Sequence, residues 1–412
     1  MGVFTELGRL NRQQRSAFLA SFLGWTLDAF DFFLMVFILR AIAQEFGTDV
    51  KTVTVAITLT LAMRPVGALV FGMLADRFGR RPILMIDVLL FSVLELASAF
   101  APTLVVLMIL RAAFGFAMGG EWGIGASLAM ESIPPRARGL VSGILQEGYA
   151  VGYLLAAVVY GLLFDRVGWR GMFMVGVIPA LLVLYIRRNV EESPVWERVR
   201  AAPQRGLLRS IRENGKLFLY VVVLMTAFNF FSHGTQDLYP TFLQSQHGFG
   251  SREVSLITII MQVGAITGGI FFGTLSERIG RRSAIVLAAL FGLIMVPLWS
   301  LASGAVVLAV GAFLMQVAVQ GAWGVIPVHL NELSPNEVRG TFPGFAYQLG
   351  NFLASANATI QAGIAERRGG NYGEALAIVG AAMAIVIAFL TAVGPEARGV
   401  LFETSSTDVP GE

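Results

Sequence analysis

The chain contains 412 residues, of which 56% are hydrophobic and 14% are charged, with a formal net charge of +3. A mean hydropathy of +0.71 and so few charges exclude an ordinary soluble domain. The small positive charge does not indicate a nucleic-acid partner, because the sequence contains no soluble basic domain to bind one. It also contains no cysteine, which excludes disulfides, thiol catalysis and cysteine-based metal sites.

Apolar runs recur along the chain, each roughly 20 residues long and therefore able to cross a hydrocarbon core of about 30 Å. Their periodicity is helical, and no alternating ten-residue stretches indicate a β-barrel. We therefore predict an all-α membrane protein with twelve transmembrane helices. The predicted segments are 17–39, 53–75, 82–101, 104–127, 140–163, 171–187, 217–243, 254–275, 283–302, 305–329, 341–364 and 374–394.

The positions of lysine and arginine predict the orientation of these segments. Most of them fall in the loops of one side, which is therefore expected to be cytoplasmic and to carry both termini. Two arginines, Arg64 and Arg111, fall inside segments. The basic residues of the opposite side are Arg40, Lys51, Arg166, Arg170, Arg252, Arg367 and Arg368.

The sequence repeats itself over long range. The loop at Gly72–Arg81 (GMLADRFGRR) returns at Gly273–Arg282 (GTLSERIGRR), and the same offset holds elsewhere. Such a duplication in an apolar chain indicates a transporter with two halves. We predict an N-terminal six-helix bundle, a cytoplasmic linker, a C-terminal six-helix bundle and a cytoplasmic tail, at 1–187, 188–215, 216–394 and 395–412. Further residues that the offset relates are Trp122 with Trp323, Glu131 with Glu332, and Arg138 with Arg339.

The doubled loop resembles a motif of the major facilitator superfamily, which lies between its second and third helices and again between its eighth and ninth. Together with the twelve segments and the long polar stretch between residues 187 and 216, the resemblance covers essentially the whole chain. It implies two pseudo-symmetric bundles and alternating access. Within the linker, Trp196 and the apolar residues around 207–211 suggest a short helix on the membrane surface, with a disordered linker as the alternative. The tail after Pro395 is expected to be disordered.

Charged residues of the repeated loops are candidates for a cytoplasmic gate. An acid at a helix start lies at the positive end of the helix, and arginines can pair with acids at neighbouring helix ends. We expect Glu131 to pair with Arg138 and Glu332 to pair with Arg339. The alternative is that the arginines only set the topology. The predicted gating residues are Asp76, Arg80, Arg81, Glu131, Arg138, Glu277, Arg281, Glu332 and Arg339.

An ionisable side chain near the bilayer centre costs about 2.5–3.5 kcal/mol on insertion scales, so each one is a candidate for function. Arg64 lies near mid-membrane, and its guanidinium offers a fork that fits a carboxylate. It is expected to anchor a substrate anion or, alternatively, to pair with Asp28 or Asp31. The second half does not repeat these charges. At the repeat offset Arg64, Arg111, Glu121 and Asp28 correspond to Ala265, Ala312, Ala322 and Asn229.

The remaining charges inside segments allow more modest predictions. Asp28 and Asp31 share one helix face, and two close carboxylates in a low dielectric favour proton uptake. Arg111 and Glu121 lie too far apart in sequence to pair locally, so each is expected to bond a neighbouring helix. For Asp87 and Glu95 we predict structural roles. Finally, His247 and His329 lie at segment ends and are expected to face water.

The seventh segment contains a dense polar string from Asn229 to Thr241. His233 and Asp237 are four residues apart, so the carboxylate can stabilise the imidazolium and the pair can carry a proton. The alternative is a core histidine satisfied by Asp237. The string resembles N-x-x-S/T-H-x-S/T-Q-D-x-x-x-T, the signature of the Jen-type lactate and pyruvate permeases in the sialate:proton symporter branch of the superfamily. The matching residues are Asn229, Ser232, His233, Thr235, Gln236, Asp237 and Thr241.

This resemblance implies proton-coupled uptake of a short monocarboxylate such as lactate or pyruvate. It also assigns a role to an arginine in the second helix, which Arg64 matches, and to a Gln-x-x-Asn pair in the eleventh, which Gln348 and Asn351 match. The first helix, with Asp28-Ala-Phe-Asp31, resembles that of aromatic-acid and sialate symporters. A proton symporter of sialate or an aromatic acid is therefore the alternative.

From the sequence we expect a transporter and not an enzyme, placed as a multi-pass monomer in the lipid bilayer of a bacterial inner membrane. Its partner is a small organic anion, its coupling ion is the proton, and no cofactor or metal is expected. The predicted substrate-binding residues are Arg64, Asn229, Gln348, Asn351, Tyr239 and Phe230. The predicted proton-coupling residues are His233, Asp237, Asp28 and Asp31.

Overall fold

The computed structural model describes residues 8–48, 50–199 and 212–400, and all regular secondary structure in these ranges is helical. The prediction of an all-α protein is thus confirmed. In chain order the α-helices are α1 Arg12–Glu45, α2 Val50–Phe78, α3 Arg80–Ala99, α4 Leu104–Ser132, α5 Arg138–Gln146, α6 Gly148–Val175, α7 Ala180–Asn189, α8 Pro194–Val199, α9 Gly215–Gln236, α10 Tyr239–Ser245, α11 Ser251–Ile279, α12 Arg281–Val296, α13 Ala305–Leu333, α14 Phe342–Ala354, α15 Asn357–Arg367 and α16 Tyr372–Val393.

Ten helical runs in the described residues are long and apolar enough to cross a membrane. They include nine of the predicted segments as separate runs. The segments predicted at 140–163 and 171–187 fall together in one run, Pro135–Asn189. The segment predicted at 341–364 falls on α14 and α15, which are separated by a turn at 355–356.

Short polar motifs begin several of the helices. Asn11 caps α1, since its side chain accepts a hydrogen bond from the Gln14 amide at 2.8 Å while the Gln14 side chain accepts one from the Asn11 amide. This reciprocal capping satisfies two amides that the first helical turn leaves free. Thr103 and Asn371 cap α4 and α16 in a similar way with their side chains.

The helices before and after the linker pack in the same pattern. The contact of α2 with α4 is matched by that of α11 with α13, and the contact of α1 with α6 is matched by that of α9 with α14. In the same way α3 packs on α4, and α12 packs on α13. The sequence repeat therefore corresponds to repeated packing.

Glycines bring the two halves into backbone contact at one end of the molecule, which we call the closed end. A Cβ built on Gly139 or Gly143 of α5 would overlap a carbonyl oxygen of α11, that of Gly273 or Gly269. A second contact joins α4 to α14, where a Cβ on Gly123 would lie 2.7 Å from the Cα of Gly344. Glycine at these positions permits the close approach. Ser142 adds a hydrogen bond across the halves, donating to the Gly324 carbonyl at 2.7 Å.

These contacts predict the effect of a single methyl group. Gly273→Ala would overlap Gly139, and overpacking of this kind costs about 1–3 kcal/mol. The closed end should therefore open more often. With Ser142→Cys as the only thiol in a chain without cysteine, the maleimide labelling rate should rise about tenfold, since about 1.4 kcal/mol corresponds to a factor of ten.

Gly161→Ala is the matched control, because nothing lies within 4 Å of a Cβ at this position. It should leave the labelling rate of Ser142→Cys unchanged. An unaltered rate in the Gly273→Ala variant would contradict the assignment of this contact to the closure of the molecule.

Candidate functional site

Two matching ion-pair groups lie at the closed end, one from each half. In the first, Arg80 contacts Glu131 at 3.1 Å and Asp76 at 3.0 Å. In the second, Arg281 contacts Glu332 at 2.9 Å and Glu277 at 3.1 Å. Arg80 and Arg281 are both fully or almost fully buried, so each depends on its acids for compensation of its charge.

The two groups are joined across the halves, which corrects the predicted pairing of Glu131 with Arg138 and of Glu332 with Arg339. Arg339 approaches Glu131 at 3.9 Å, and Arg138 approaches Glu332 at 3.9 Å. The reason is local, because the Nε atom of Arg138 donates to the carbonyl of Met130 at the end of its own preceding helix. Its remaining nitrogens then extend toward the other half.

The first acid of each repeated loop also bonds the opposite half. Asp76 accepts hydrogen bonds from the backbone amides of Gly340 and Thr341, at 2.7 and 3.1 Å, and from the Thr341 hydroxyl at 2.5 Å. Glu277 accepts a hydrogen bond from the amide of Gly139. The residues predicted to form a gate are thus brought together where the halves meet.

Arg81 differs from the other predicted gating residues. Its side chain donates to the carbonyl of Arg187 at 2.7 Å, and its amide bonds the carboxylate of Glu192. Burial raises the pKa of Glu192, while the backbone amides of Ser193 and Arg80 oppose this shift. In the second half Glu396 takes the corresponding place, accepting from the amide of Arg282 at 3.0 Å. Sequence analysis missed both acids, which lie outside the repeated loops.

The linker contributes one described helix to this end. Within α8, Trp196 is buried and donates to the carbonyl of Asp76 at 2.8 Å, so this part of the predicted surface helix packs on the closed end. The other apolar residues of that prediction, at 207–211, lie outside the described residues. The same holds for residues 401–412 of the tail.

An aromatic cluster lies between the closed end and the opposite end. Tyr347 packs against Trp122 at 4.6 Å and against Trp323 at 5.6 Å, measured between ring centroids. The indole of Trp122 also donates to the side chain of Gln146 at 3.2 Å. The two tryptophans are related by the sequence repeat. That equivalence was the sequence signal for this cluster, which was not predicted.

Beyond the aromatic cluster the halves separate around a cavity of about 330 Å³. Its walls carry rings from the first half and polar side chains from the second. Phe33 forms edge-to-face contacts with Tyr149 at 5.3 Å and with Tyr153 at 4.7 Å. The lining residues are Phe32, Phe33, Leu61, Tyr149, Ala150, Tyr153, Ser232, His233, Gln236, Asp237, Pro240, Thr258, Met261 and Gln262.

His233 connects this cavity to α14. Its Nδ1 lies 3.3 Å from an oxygen of Asp237, and its Nε2 lies 3.1 Å from Oδ1 of Asn351. The side chains of His233 and Asp237 are 34% and 39% exposed, so both are accessible from the cavity. The predicted pair therefore forms, and Asn351 supports it from the neighbouring helix.

Arg64 lies behind the cavity wall. The guanidinium stacks over the ring of Phe32, with 5.3 Å between its Cζ atom and the ring centroid. Its Nη2 atom makes one ion pair with Asp28, at 3.5 Å, and its Nε atom has no partner among the described residues. The same Nη2 atom lies 3.4 Å from the sulfur of Met118, so this arginine has one long ion pair, one weak hydrogen bond to sulfur and an Nε donor left free.

Other acids of the first half exceed the cations available to them. Glu95 bonds Arg111, as the structural role predicted for Glu95 requires. Three further acids have no hydrogen-bond partner among the described residues for either carboxyl oxygen. They are Asp31, Asp87 and Glu121. The prediction that Glu121 bonds a neighbouring helix is therefore wrong. A buried carboxyl group without a partner is far less costly when it is protonated.

None of the six predicted substrate residues is among those that line the cavity. Tyr239 is fully buried, with its hydroxyl 3.2 and 3.1 Å from the carbonyl oxygens of Trp299 and Leu308, which corrects its assignment to the substrate. Phe230 is half-buried and absent from the lining. Asn229 donates to the carbonyl of Met225, its own helix, at 2.8 Å.

Gln348 differs from these residues because it is buried and both polar atoms of its amide lack partners in the described part of the chain. Its donors and acceptors remain available.

The prediction that His247 and His329 face water is also corrected. His329 is fully buried, and His247 is half-buried against Phe242.

The bonds of Asp76 across the halves predict the behaviour of a neutral variant. Asp76→Asn keeps the shape but weakens three acceptor bonds, a loss of about 1–3 kcal/mol for a buried partner. The labelling rate of Ser142→Cys should rise about tenfold or more, and Glu277→Gln should act in the same direction. The exposed Asp165 provides the control, and Asp165→Asn should have no effect. Equal rates in all four proteins would show that these bonds do not hold the end closed.

Comparison with known proteins agrees with this architecture. A sequence model described as Major Facilitator Superfamily matches residues 17–359. A probable 4-methylmuconolactone transporter of Cupriavidus pinatubonensis is 33% identical over 402 residues, 95% of this chain and 92% of the relative. The sialic acid transporter NanX of Escherichia coli is 29% identical over 347 residues, 83% of this chain and 85% of the relative.

A carboxylic acid transporter protein homolog of Saccharomyces cerevisiae is 29% identical over 389 residues, and the match covers 88% of this chain but only 63% of the yeast protein. Among solved structures, the proton:xylose symporter XylE superposes with a TM-score of 0.75 at 20% identity, over 94% of this chain and 97% of that one. The repeated loops, the repeated packing and these matches lead to one conclusion, that the chain belongs to the major facilitator superfamily.

Proposed function

We propose that the protein is a secondary active transporter that couples uptake of a short monocarboxylate, of the lactate or pyruvate type, to uptake of a proton. The observation that carries this proposal is Arg64, a buried guanidinium with one long contact to Asp28 and an unbonded Nε, placed behind the aromatic wall of the cavity. A carboxylate is the ligand that a guanidinium fork fits best.

The chain is proposed to cross the membrane twelve times with both termini in the cytoplasm. The run Pro135–Asn189 contains 55 residues and would extend about 80 Å as one helix, far beyond a core of about 30 Å. Gly168, with φ of 64°, breaks it, so it supplies two crossings. α14 and α15 together supply another.

In this arrangement the closed end faces the cytoplasm and the cavity faces outward. The basic loops of the repeated motif support that orientation through the positive-inside rule. The bundle at residues 1–187 and the bundle at 216–394 would then move against each other about the cavity, and the ion-pair groups of the closed end would separate as the cytoplasmic side opens.

Substrate and proton would be coupled through Arg64. A carboxylate that enters from the cavity competes with Asp28 for the guanidinium, and Asp28 then loses the one cation that pairs with it among the described residues. An unpaired buried carboxylate favours the protonated form, so binding of the anion promotes binding of a proton. Gln348 and Asn351 supply amide groups for the hydroxyl or keto oxygen of the substrate.

His233 and Asp237 are proposed to deliver the proton, because both are exposed to the cavity and bonded to each other. Asp31 extends the line of carboxyl groups along α1, on the face that carries Asp28. Loaded with an anion and a proton together, the site carries no added net charge, which lowers the cost of closing it off from water.

Arg64→Lys tests the anchor. Lysine keeps the charge but offers no planar fork, so uptake of labelled lactate into proteoliposomes under an imposed pH step should fall at least about tenfold, equivalent to about 1.4 kcal/mol. Arg166 is exposed, and Arg166→Lys should transport normally. Uptake at the unsubstituted rate in Arg64→Lys would refute the anchoring role.

His233→Ala tests the proton pathway. Without the imidazole, labelled lactate should equilibrate across the vesicle membrane, but the pH step should no longer concentrate it. Accumulation against the gradient at the level of the unsubstituted protein would rule out His233 as a proton carrier. The measurement compares the steady-state internal concentration with and without the pH step.

A second candidate is a proton symporter of sialate or an aromatic acid. Two observations favour it, the aromatic wall of Phe33, Tyr149 and Tyr153 and a volume of about 330 Å³, which lies in the range of sites for ligands well above the size of lactate. Competition decides between the two. Inhibition of labelled lactate uptake by excess pyruvate alone supports the first candidate, whereas stronger inhibition by sialate or benzoate supports the second.

A further inference from the structure

Glu147 lies at the junction of α5 and α6, two residues before Tyr149 of the cavity wall. It is only 4% exposed, and its Oε1 atom has no hydrogen-bond partner among the described residues. An ionised carboxylate with a buried, unbonded oxygen is costly. The arrangement therefore favours the neutral, protonated acid.

This carboxyl group is enclosed by the contact that closes the molecule. A Cβ built on Gly269 of α11 would overlap Oε1 of Glu147, so the glycine leaves the space that the carboxyl group occupies. Gly269 also forms the backbone contacts with Gly143 of α5 and Gly324 of α13. Glu147 is thus covered by α11 where α5 and α11 meet.

No cation from the surrounding helices within the described residues compensates Glu147. On α1, Asp28 is bonded to Arg64, and the residues of α1 nearest this junction are Trp25 and Thr26. The ionisable groups of α11 and α13 on this side lie further toward the closed end. They are Glu277, which is bonded to Arg281, and His329 and Glu332.

We propose that Glu147 is a proton-operated latch between the halves, whose protonated form permits the contact of α5 with α11 and whose ionised form opposes it. The inference rests on the proposed proton coupling and adds a proton site at the interface itself. The proton enters from the cavity while the closed end is shut. It leaves to the water on the other side when α5 and α11 separate, and the ionised acid then disfavours closing until a proton returns.

The distance between spin labels across the closed end tests this latch directly. Arg136 and Glu337 occupy equivalent short turns, one in each half, and the sequence has no cysteine to interfere. Arg136→Cys and Glu337→Cys, both labelled in the full-length protein in lipid, report the separation by double electron–electron resonance. In this background, a change from acidic to alkaline buffer should move the population from the short to the long distance.

Glu147→Gln mimics the neutral acid and should keep the short distance at every pH. Glu147→Ala removes the ionisable group by a different change and should lose the pH-dependent shift as well, so the result does not depend on the folding of one variant. Asp87→Asn is the matched control. Asp87 is also buried without a partner among the described residues, but it lies within the first half, and its variant should keep the shift.

Three results would overturn the latch. They are a background protein without a pH-dependent shift, a full shift in either neutral variant at position 147, and loss of the shift in Asp87→Asn. Because the experiment contains no substrate, a wrong choice of transported acid would leave it unaffected. Conversely, a failed latch would leave the anchoring role of Arg64 to be decided by uptake alone.

Discussion

A charge that leaves water must be paired with an opposite charge, and an acid that is not paired must take a proton. This constraint governs both halves of the molecule. At the closed end, four arginines and four acids from the two halves compensate one another. Pairing across the halves makes the closed arrangement stable, and separation of the halves would expose the same groups to water, where pairing is not required.

The same constraint applies to the buried acids of the first half. There, Arg64 and Arg111 face a larger set of buried acids, several of them without partners in the described residues. An excess of acids over cations is least costly to bury when some of the acids are protonated, and the proposed coupling rests on this. In the proposed mechanism, an anion that reaches Arg64 changes the ion pairing and therefore which acids hold a proton. The second half lacks these buried charges and instead lines the cavity with neutral polar groups and the pair of His233 with Asp237.

The sequence repeat distinguishes the residues that close the molecule from those proposed to bind the substrate and the proton. Residues that close the molecule, such as Arg80 and Arg281, occur in both halves because the closed end needs matching partners from each side. Arg64 and the unpaired buried acids of the first half occur once, since the proposed site between the halves needs only one anchor. Glu147 faces Gly269 and corresponds to Gln348 at the repeat offset, so its charge is not duplicated although it lies at the duplicated interface.

Sequence alone predicted the class of fold, the repeated charged residues that pair at the closed end, and the contact of His233 with Asp237. Each of these depends on periodicity, repetition or spacing along one helix. Sequence failed where side chains of distant segments meet. The partners of Glu131 and Glu332 come from the other half, and Tyr239 turns toward Trp299 instead of the cavity. Glu147 gave no signal at all, because a lone acid becomes informative only when the glycine opposite it is known.

Infrared difference spectroscopy of substrate binding tests the central claim, that an anion displaces Asp28 from Arg64 and leaves Asp28 protonated. Addition of lactate to the protein in lipid should produce a new protonated-carboxyl C=O band, and Asp28→Asn should abolish that band. Binding of lactate without the band, or an identical band in Asp28→Asn, would contradict the account.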